Sequence, residues 1–355
     1  MKILFIVPYS SEGASNRYRV EQYLPYLRKE DIDFDVRPFV FKKFYKILYL
    51  KGKYFTKMLY FVQAFFSRII DIIRLYKYDL VFIHRESCPF GPSVFEWLIY
   101  KLKKPIIFDF DDAIFLQNFN PANSIYRFFK FPSKTKNIIK MASRIIVANQ
   151  YLEEYAVRFN PSVDIIPTPI DTKRFGVIKK DSGQLTIGWV GSPTTASYLR
   201  LVFKVMRELS KAYDFVLKIV GAGEEISIPG VKVINYSWEL ERELQDFQSI
   251  DIGIYPLPDI PWTKGKAAFK AIQYMSAGIP VVASSVGMTK EIIQHEVNGF
   301  LADSDEEWIR AISSLIEDPG LRQRIGINGR KTIEEKYSLE VNFEKFLNII
   351  KEFKK

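Results

Sequence analysis

Three stretches of the 355-residue sequence gather side chains that bear on chemistry. In "PIIFDFDDAIF", Pro105 to Phe115, the acids Asp109, Asp111 and Asp112 close an apolar run. Burying three carboxylates without a purpose is costly, so this strand end is a candidate for proton transfer or for stabilising positive charge. A metal ion is the other ligand such a cluster admits, and Asp112 is placed to cap a following helix. In "YDLVFIHRE" a second apolar run ends in His84, Arg85 and Glu86, and His84 is one of only two histidines. The third stretch, "PWTKGKAAFKAIQYMSAGIPVVAS", carries Lys264, Lys266 and Lys270, with no acid from Ile260 through Lys290. At about 100° per residue Lys266, Lys270 and Gln273 share one stripe, while Ala271, Ile272 and Met275 lie opposite. This predicts a helix with Lys266 in its first turn, where unpaired N–H groups favour an anion. A solvated lysine face is the plain alternative.

The elements that must position these groups follow from periodicity. Short runs rich in Val, Ile, Leu and Phe, such as "KILFIVP", "DFDVRPFV", "RIIVAN", "LTIGWVG", "FVLKIVG" and "IDIGIYP", alternate with helical patterns over Val94 to Leu102, Tyr198 to Ala212 and Trp238 to Gln248. Uninterrupted apolar runs separated by helices predict parallel sheets covered on both faces, the doubly wound α/β arrangement. Breakers in "IPTPIDTKRFGVIKKDSGQ" separate two such sheets, giving an N-terminal domain over 1–172 and a C-terminal one over 173–338. A break at Tyr337 to Leu339 lets the last helix, 339–355, return to the N-terminal domain. In open α/β sheets ligands bind beyond the carboxyl ends of the strands, so the cleft between the two domains is the expected site.

The motifs "IPTPID", "VGAGEE", "DIGIYPLP", "YMSAGIPVVAS" and "NGFLA", in this order, resemble those of the GT-B glycosyltransferases called group 1 or family 4. The resemblance implies two Rossmann-like domains facing a cleft and a nucleotide-sugar as substrate rather than cofactor. The reaction it implies is transfer to a hydroxyl, retaining and independent of metal. Gly13, in "SSEGASNRYRV", then belongs to the loop beneath the donor phosphates, with Asn16 and Arg17 beside it. Arg17 and Arg19 can meet phosphate or an anionic acceptor, or pair with acids on their own helix. Relatives carry two glutamates eight positions apart where this chain has Gly265 and Gln273, and an arginine and a lysine where it has only "GWVGSPTTASYL". The positive charge for the diphosphate is therefore expected from Lys266, with Lys264 or Lys270, aided by Gly191 and Ser192. Gly221, Gly223, Trp238, Gln273 and Glu291 fall where relatives hold the nucleoside. Asp111 takes the place of a histidine that faces the acceptor, so it or Asp109 is expected to take the acceptor proton or steady positive charge, with His84 nearby.

Composition bounds the rest. The single cysteine, Cys88, excludes an internal disulfide, and no uniformly apolar run reaches the roughly 18 residues of a membrane span. The net charge of +10 is concentrated: residues 39–78 hold nine lysines and arginines against Asp71 alone, among thirteen aromatics. Interleaved basic and aromatic residues favour an anionic membrane surface over nucleic acid. The expected setting is cytoplasmic and peripheral at the inner face of the cell membrane, with a lipid-linked or cell-surface glycan as acceptor. An inactive GT-B scaffold and a nucleotide-sugar epimerase are the alternatives, the first supported by Gly265 and Gln273.

Overall fold

The computed structural model describes residues 1–48, 50, 52–116, 131, 133–176 and 183–354. It divides into two units, Met1–Pro169 with Leu339–Lys355, and Ile170–Ser338. The first unit runs β1 (Lys2–Tyr9), α1 (Ala14–Arg19), α2 (Leu24–Lys29), β2 (Asp33–Val40), α3 (Lys42–Leu48), α4 (Tyr54–Ile73), β3 (Leu80–His84) and α5 (Val94–Lys101). It continues through β4 (Ile106–Phe110), α6 (Lys134–Met141), β5 (Arg144–Val147), α7 (Gln150–Ala156) and β6 (Val163–Ile165). All its strands pair in parallel, in the order β2-β1-β3-β4-β5-β6. Ile3 through Val7 are wholly buried, as are Leu80, Val81 and Ile107, because helices cover both faces of the sheet.

The second unit repeats the plan with β7 (Thr186–Val190), α8 (Phe203–Ala212), β8 (Val216–Val220), β9 (Val233–Tyr236), α9 (Glu243–Gln248) and β10 (Ile252–Tyr255). There follow α10 (Pro261–Lys264), α11 (Phe269–Ser276), β11 (Val281–Ala283), α12 (Thr289–Ile292), β12 (Phe300–Leu301), α13 (Asp305–Glu317) and α14 (Pro319–Lys336). Its strand order is β12-β11-β10-β7-β8-β9, again parallel. The doubly wound α/β architecture expected from the apolar runs is therefore observed twice. The helix expected from Trp238 begins only at Glu243, since the Trp238 side chain packs against the turn at Gly221.

The final helix, α15 (Leu339–Lys351), belongs to the first unit. Phe346 stacks on Tyr23 at 4.4 Å between ring centroids, and Phe343, Leu347 and Ile350 join the same core. Each sheet has one point where consecutive connections leave in opposite directions, between β1 and β3 in the first unit and between β7 and β10 in the second. In open α/β sheets such a point, at the strands' carboxyl ends, is where ligands bind.

Candidate active site

At the carboxyl ends of the first unit's strands lie the loop after β1, His84 at the end of β3 and Asp109 on β4, its register partner. His84 and Asp109 are fully buried, with Nδ1 of the histidine 2.6 Å from Asp109 Oδ2. Asp109 also receives Nε of Arg19 at 3.2 Å and the Nη2 of the same residue, while Arg19 Nη1 donates to the Ile166 carbonyl at 2.7 Å. Arg19 thus pairs with an acid from another element, not from its own helix. Burial pushes the Asp109 carboxyl up, but Arg19 and then His84 outweigh it and hold the pKa below the usual value.

Arg85 follows at a left-handed φ of 61°, its N–H bonded to the Asp109 carbonyl at 2.7 Å. From there its Nε donates to Asp111 Oδ1 at 2.7 Å and its Nη2 to Asp112 Oδ2 at 2.6 Å. Burial raises the Asp111 pKa, but the charge and hydrogen bond of Arg85 together with His84 and Arg19 outweigh it, leaving it far below the carboxylate range. No helix starts at Asp112 among the described residues, so its carboxylate binds Arg85 instead of capping one.

These pairings correct the expectation that Asp109 takes a proton. An anion held by Arg19 and His84, wholly buried and of lowered pKa, is a weak base. Asp111 keeps a hydrogen-bonding carboxylate at 8 % exposure. His84 Nε2 makes no hydrogen bond among the described residues and lies 3.9 Å from Asp111 Oδ1. With Nδ1 facing Asp109, Nε2 is the ring nitrogen turned towards Asp111. Among the described residues no group of three or more His, Cys, Asp or Glu is arranged to hold a metal ion.

The loop after β1 brings Gly13, Asn16 and Arg17 together. Gly13 starts α1, Asn16 is buried and donates to Glu21 Oε1 at 2.8 Å, and Arg17 Nη1 turns back onto the carbonyls of Ser11 and Glu12 at 2.9 and 3.2 Å. Arg17 therefore fastens the loop after β1.

In the second unit the end of β7 leads into Gly191 and Ser192. Gly191 N–H bonds Val220 O at 3.0 Å, and the Ser192, Thr194 and Thr195 hydroxyls bond one another. Gly221, at φ +83°, lies so close to this turn that a Cβ would fall 2.6 Å from Gly191 O, which restricts the position to glycine. Gly223 abuts Pro193 and Trp238 abuts Gly221, so these residues share one end of the sheet.

The α10–α11 segment differs from its expected form. The helix breaks over residues 265–268, with Ala268 left-handed at φ 46°, so Lys266 lies in the turn between two helices and not in a first turn. Its ammonium stands 5.8 Å from the centre of the Trp262 ring. Lys264 pairs with Asp259 at 3.1 Å, and the loop at Gly287 closes on the Lys264 carbonyl. Lys270 and Gln273 do share a stripe: Lys270 Nζ donates to Gln273 Oε1 at 2.8 Å. Gln273, wholly buried, turns its nitrogen towards Glu243 Oε1 on α9, 3.3 Å away, and Arg174 lies 3.6 Å from the same carboxylate. Glu243 has no local signal in the sequence, being thirty residues from its partner. Glu291 is exposed on α12, and its charge adds to burial in pushing the Tyr337 hydroxyl up to about 12.

Fold and site thus define a protein of two doubly wound α/β units, each with loops gathered at the carboxyl ends of its strands. Residues 171–332, wholly inside the second unit, match the family model of the glycosyl transferases group 1. An uncharacterized glycosyltransferase of Methanocaldococcus jannaschii is 33 % identical over 107 residues, which is 30 % of this chain and 26 % of that protein. The chain spans 26 to 37 % of the length of the curated relatives it matches. A glycosyltransferase from Rickettsia africae superposes with a TM-score of 0.71 at 15 % identity, covering 100 % of this chain and 98 % of that one. The Anabaena protein HepE, solved with UDP-glucose, gives 0.70 at 14 %, covering 99 % and 100 %. The resemblance read from the motifs therefore holds: the second unit matches group 1 glycosyltransferases by sequence, and the chain has the GT-B fold.

Proposed function

We propose that this protein transfers a sugar from a nucleotide-sugar to a hydroxyl of a lipid-linked or cell-surface glycan, with retention and without a metal ion. The observation that carries this reading is the meeting of Gly191, Ser192, Gly221, Gly223 and Trp238 at the carboxyl ends of β7 and β8, inside the segment that matches the family. Glycine turns that let a ligand approach the backbone closely, beside the hydroxyls of Ser192, Thr194 and Thr195, suit a diphosphate. HepE, of the same fold, is solved with UDP-glucose, which favours a nucleotide-sugar as donor here.

The second unit would hold the donor. Lys266, with Lys264 and Lys270 beside it, offsets the diphosphate charge as the glycosidic bond breaks. Glu291 meets the ribose, the buried Gln273 holds Lys270 in place rather than meeting the ribose itself, and the loop around Trp238 meets the base. The first unit would hold the acceptor. There Asp111 accepts a hydrogen bond from the reacting hydroxyl and orients it, and the ring of His84 behind it steadies the carboxylate. Gly13, Asn16 and the loop fastened by Arg17 supply donors to anionic groups. The setting is cytoplasmic, peripheral at the inner face of the membrane. No helix among the described residues is long and apolar enough to cross a membrane.

Thermal denaturation with UDP-, GDP- and ADP-sugars is the direct test. One donor should raise the midpoint, with saturation, and should be consumed only when a glycan acceptor is present. Lys266→Ala should lower transfer at saturating donor by about tenfold or more, the scale of losing one charge-stabilising group. Unchanged turnover would remove Lys266 from the site, and donor turnover without acceptor would assign an epimerase.

A further inference from the structure

Helix α4 is built the wrong way round for a helix facing water. Its buried residues are Ala64, Arg68 and Asp71, two of them charged. Arg68 is 1 % exposed and reaches Asp71 Oδ2 at 2.9 Å, Ser87 O at 3.0 Å and Arg37 O at 3.2 Å, which fastens the helix to β2 and to the loop after β3. On the opposite side Phe55, Leu59, Val62, Phe66, Ile70 and Ile73 are exposed, Phe66 by 60 % and Ile73 by 68 %. At about 100° per residue these six fall within about 80° of one another and about 180° from Arg68 and Asp71. The result is a straight apolar stripe along a helix of 20 residues, about 30 Å long.

The surroundings of the stripe select its occupant. Exposed Lys43 and Lys46 on α3, Lys53 before α4, and Arg74 and Lys77 after it supply cations, while Asp71, the only acid of 39–78, is buried. Tyr54 and Tyr76 are exposed near the two ends, and α5, in contact through Phe95 and Phe65, exposes Trp97. A second copy of the same face would set these cations against each other. Anionic lipid supplies an apolar layer for the stripe, phosphates for the lysines and a headgroup zone for the tyrosines and tryptophan.

We infer that α4 lies in the plane of an anionic membrane with this stripe inserted among the acyl chains, held from behind by Arg68 and Asp71. This deepens the membrane placement proposed above and rests on it; sugar transfer is a separate matter, so the test reads lipid alone. Val62→Cys can carry an environment-sensitive fluorophore, since Cys88, the sole native cysteine, is buried. Phosphatidylcholine vesicles containing about a quarter phosphatidylglycerol should shift the label's emission to the blue. Flotation of the unlabelled protein on the same vesicles should survive about 0.5 M salt, where screening removes purely electrostatic contacts. Leu59→Asn with Phe66→Asn should lower the bound fraction roughly tenfold or more without changing the thermal midpoint. Flotation without a label shift, lost in salt and unaffected by the asparagine pair, would overturn insertion and leave only electrostatic attachment. Failure to float at all would overturn insertion and membrane placement together. A dimer that the asparagine pair dissociates would assign the stripe to a second copy.

Discussion

Arg19 and Asp109 come from different elements, and their pairing is what keeps a wholly buried carboxylate ionised. Arg19→Met removes the cation and leaves an anion in the core with only His84 beside it. We expect a loss of about 3–5 kcal/mol in urea unfolding at neutral pH, the usual cost of stranding one member of a buried pair. The pH dependence follows from the lowered pKa of Asp109. A lowered folded-state pKa contributes stability that is complete above the unfolded value of about 4 and is lost as pH falls through the folded value. The gap between wild type and Arg19→Met should therefore be widest above pH of about 5 and should narrow on acidification below about 4. A gap that stays constant with pH would mean that Asp109 titrates alike in both proteins.

Between elements, the decisive contact in the second unit is the one that joins α9 to α11. Gln273 can face both ways because its amide offers an oxygen to Lys270 and a nitrogen to Glu243. A glutamate at 273 would replace the amide nitrogen that faces Glu243 with a second carboxylate oxygen in a buried place, trading a hydrogen bond for repulsion. This is a physical reason for the departure from the glutamate of the resembling family. Gln273→Glu should cost about 1–3 kcal/mol in chemical unfolding at neutral pH, the price of an ill-matched buried polar pair. Adding Glu243→Gln, which exchanges the two groups, should recover most of the loss. Failure of the double variant to recover would show that Glu243 is not the residue against which 273 is matched.

Over the whole molecule, the order of the chain and the division into units do not coincide. Residues 170–338 form one unit from a continuous segment, whereas 1–169 lack the helix that completes their core. A fragment of 170–338 should unfold cooperatively alone. One of 1–169 should expose the Tyr23 and Phe82 surface that Phe346 covers, and should gain a cooperative transition only when residues 339–355 are added as a peptide or fused by a linker. Calorimetry of the two fragments would check this, and cooperative unfolding of 1–169 without the peptide would refute it. By itself the sequence determined the strands, their parallel pairing and the family of the second unit, because apolar runs and glycine turns are local and their spacing is a property of the chain. The acids of 109–112 and the lysines of 264–270 were legible as polar groups at strand and helix ends for the same reason. Their partners were not: Arg19 lies ninety residues from Asp109, and Glu243 thirty from Gln273. Only the tertiary structure decided which carboxylates are neutralised, that Ala268 breaks the lysine helix, and that α4 turns its charges inward, since a charge's cost and a helix's outward face depend on what folding brings against them.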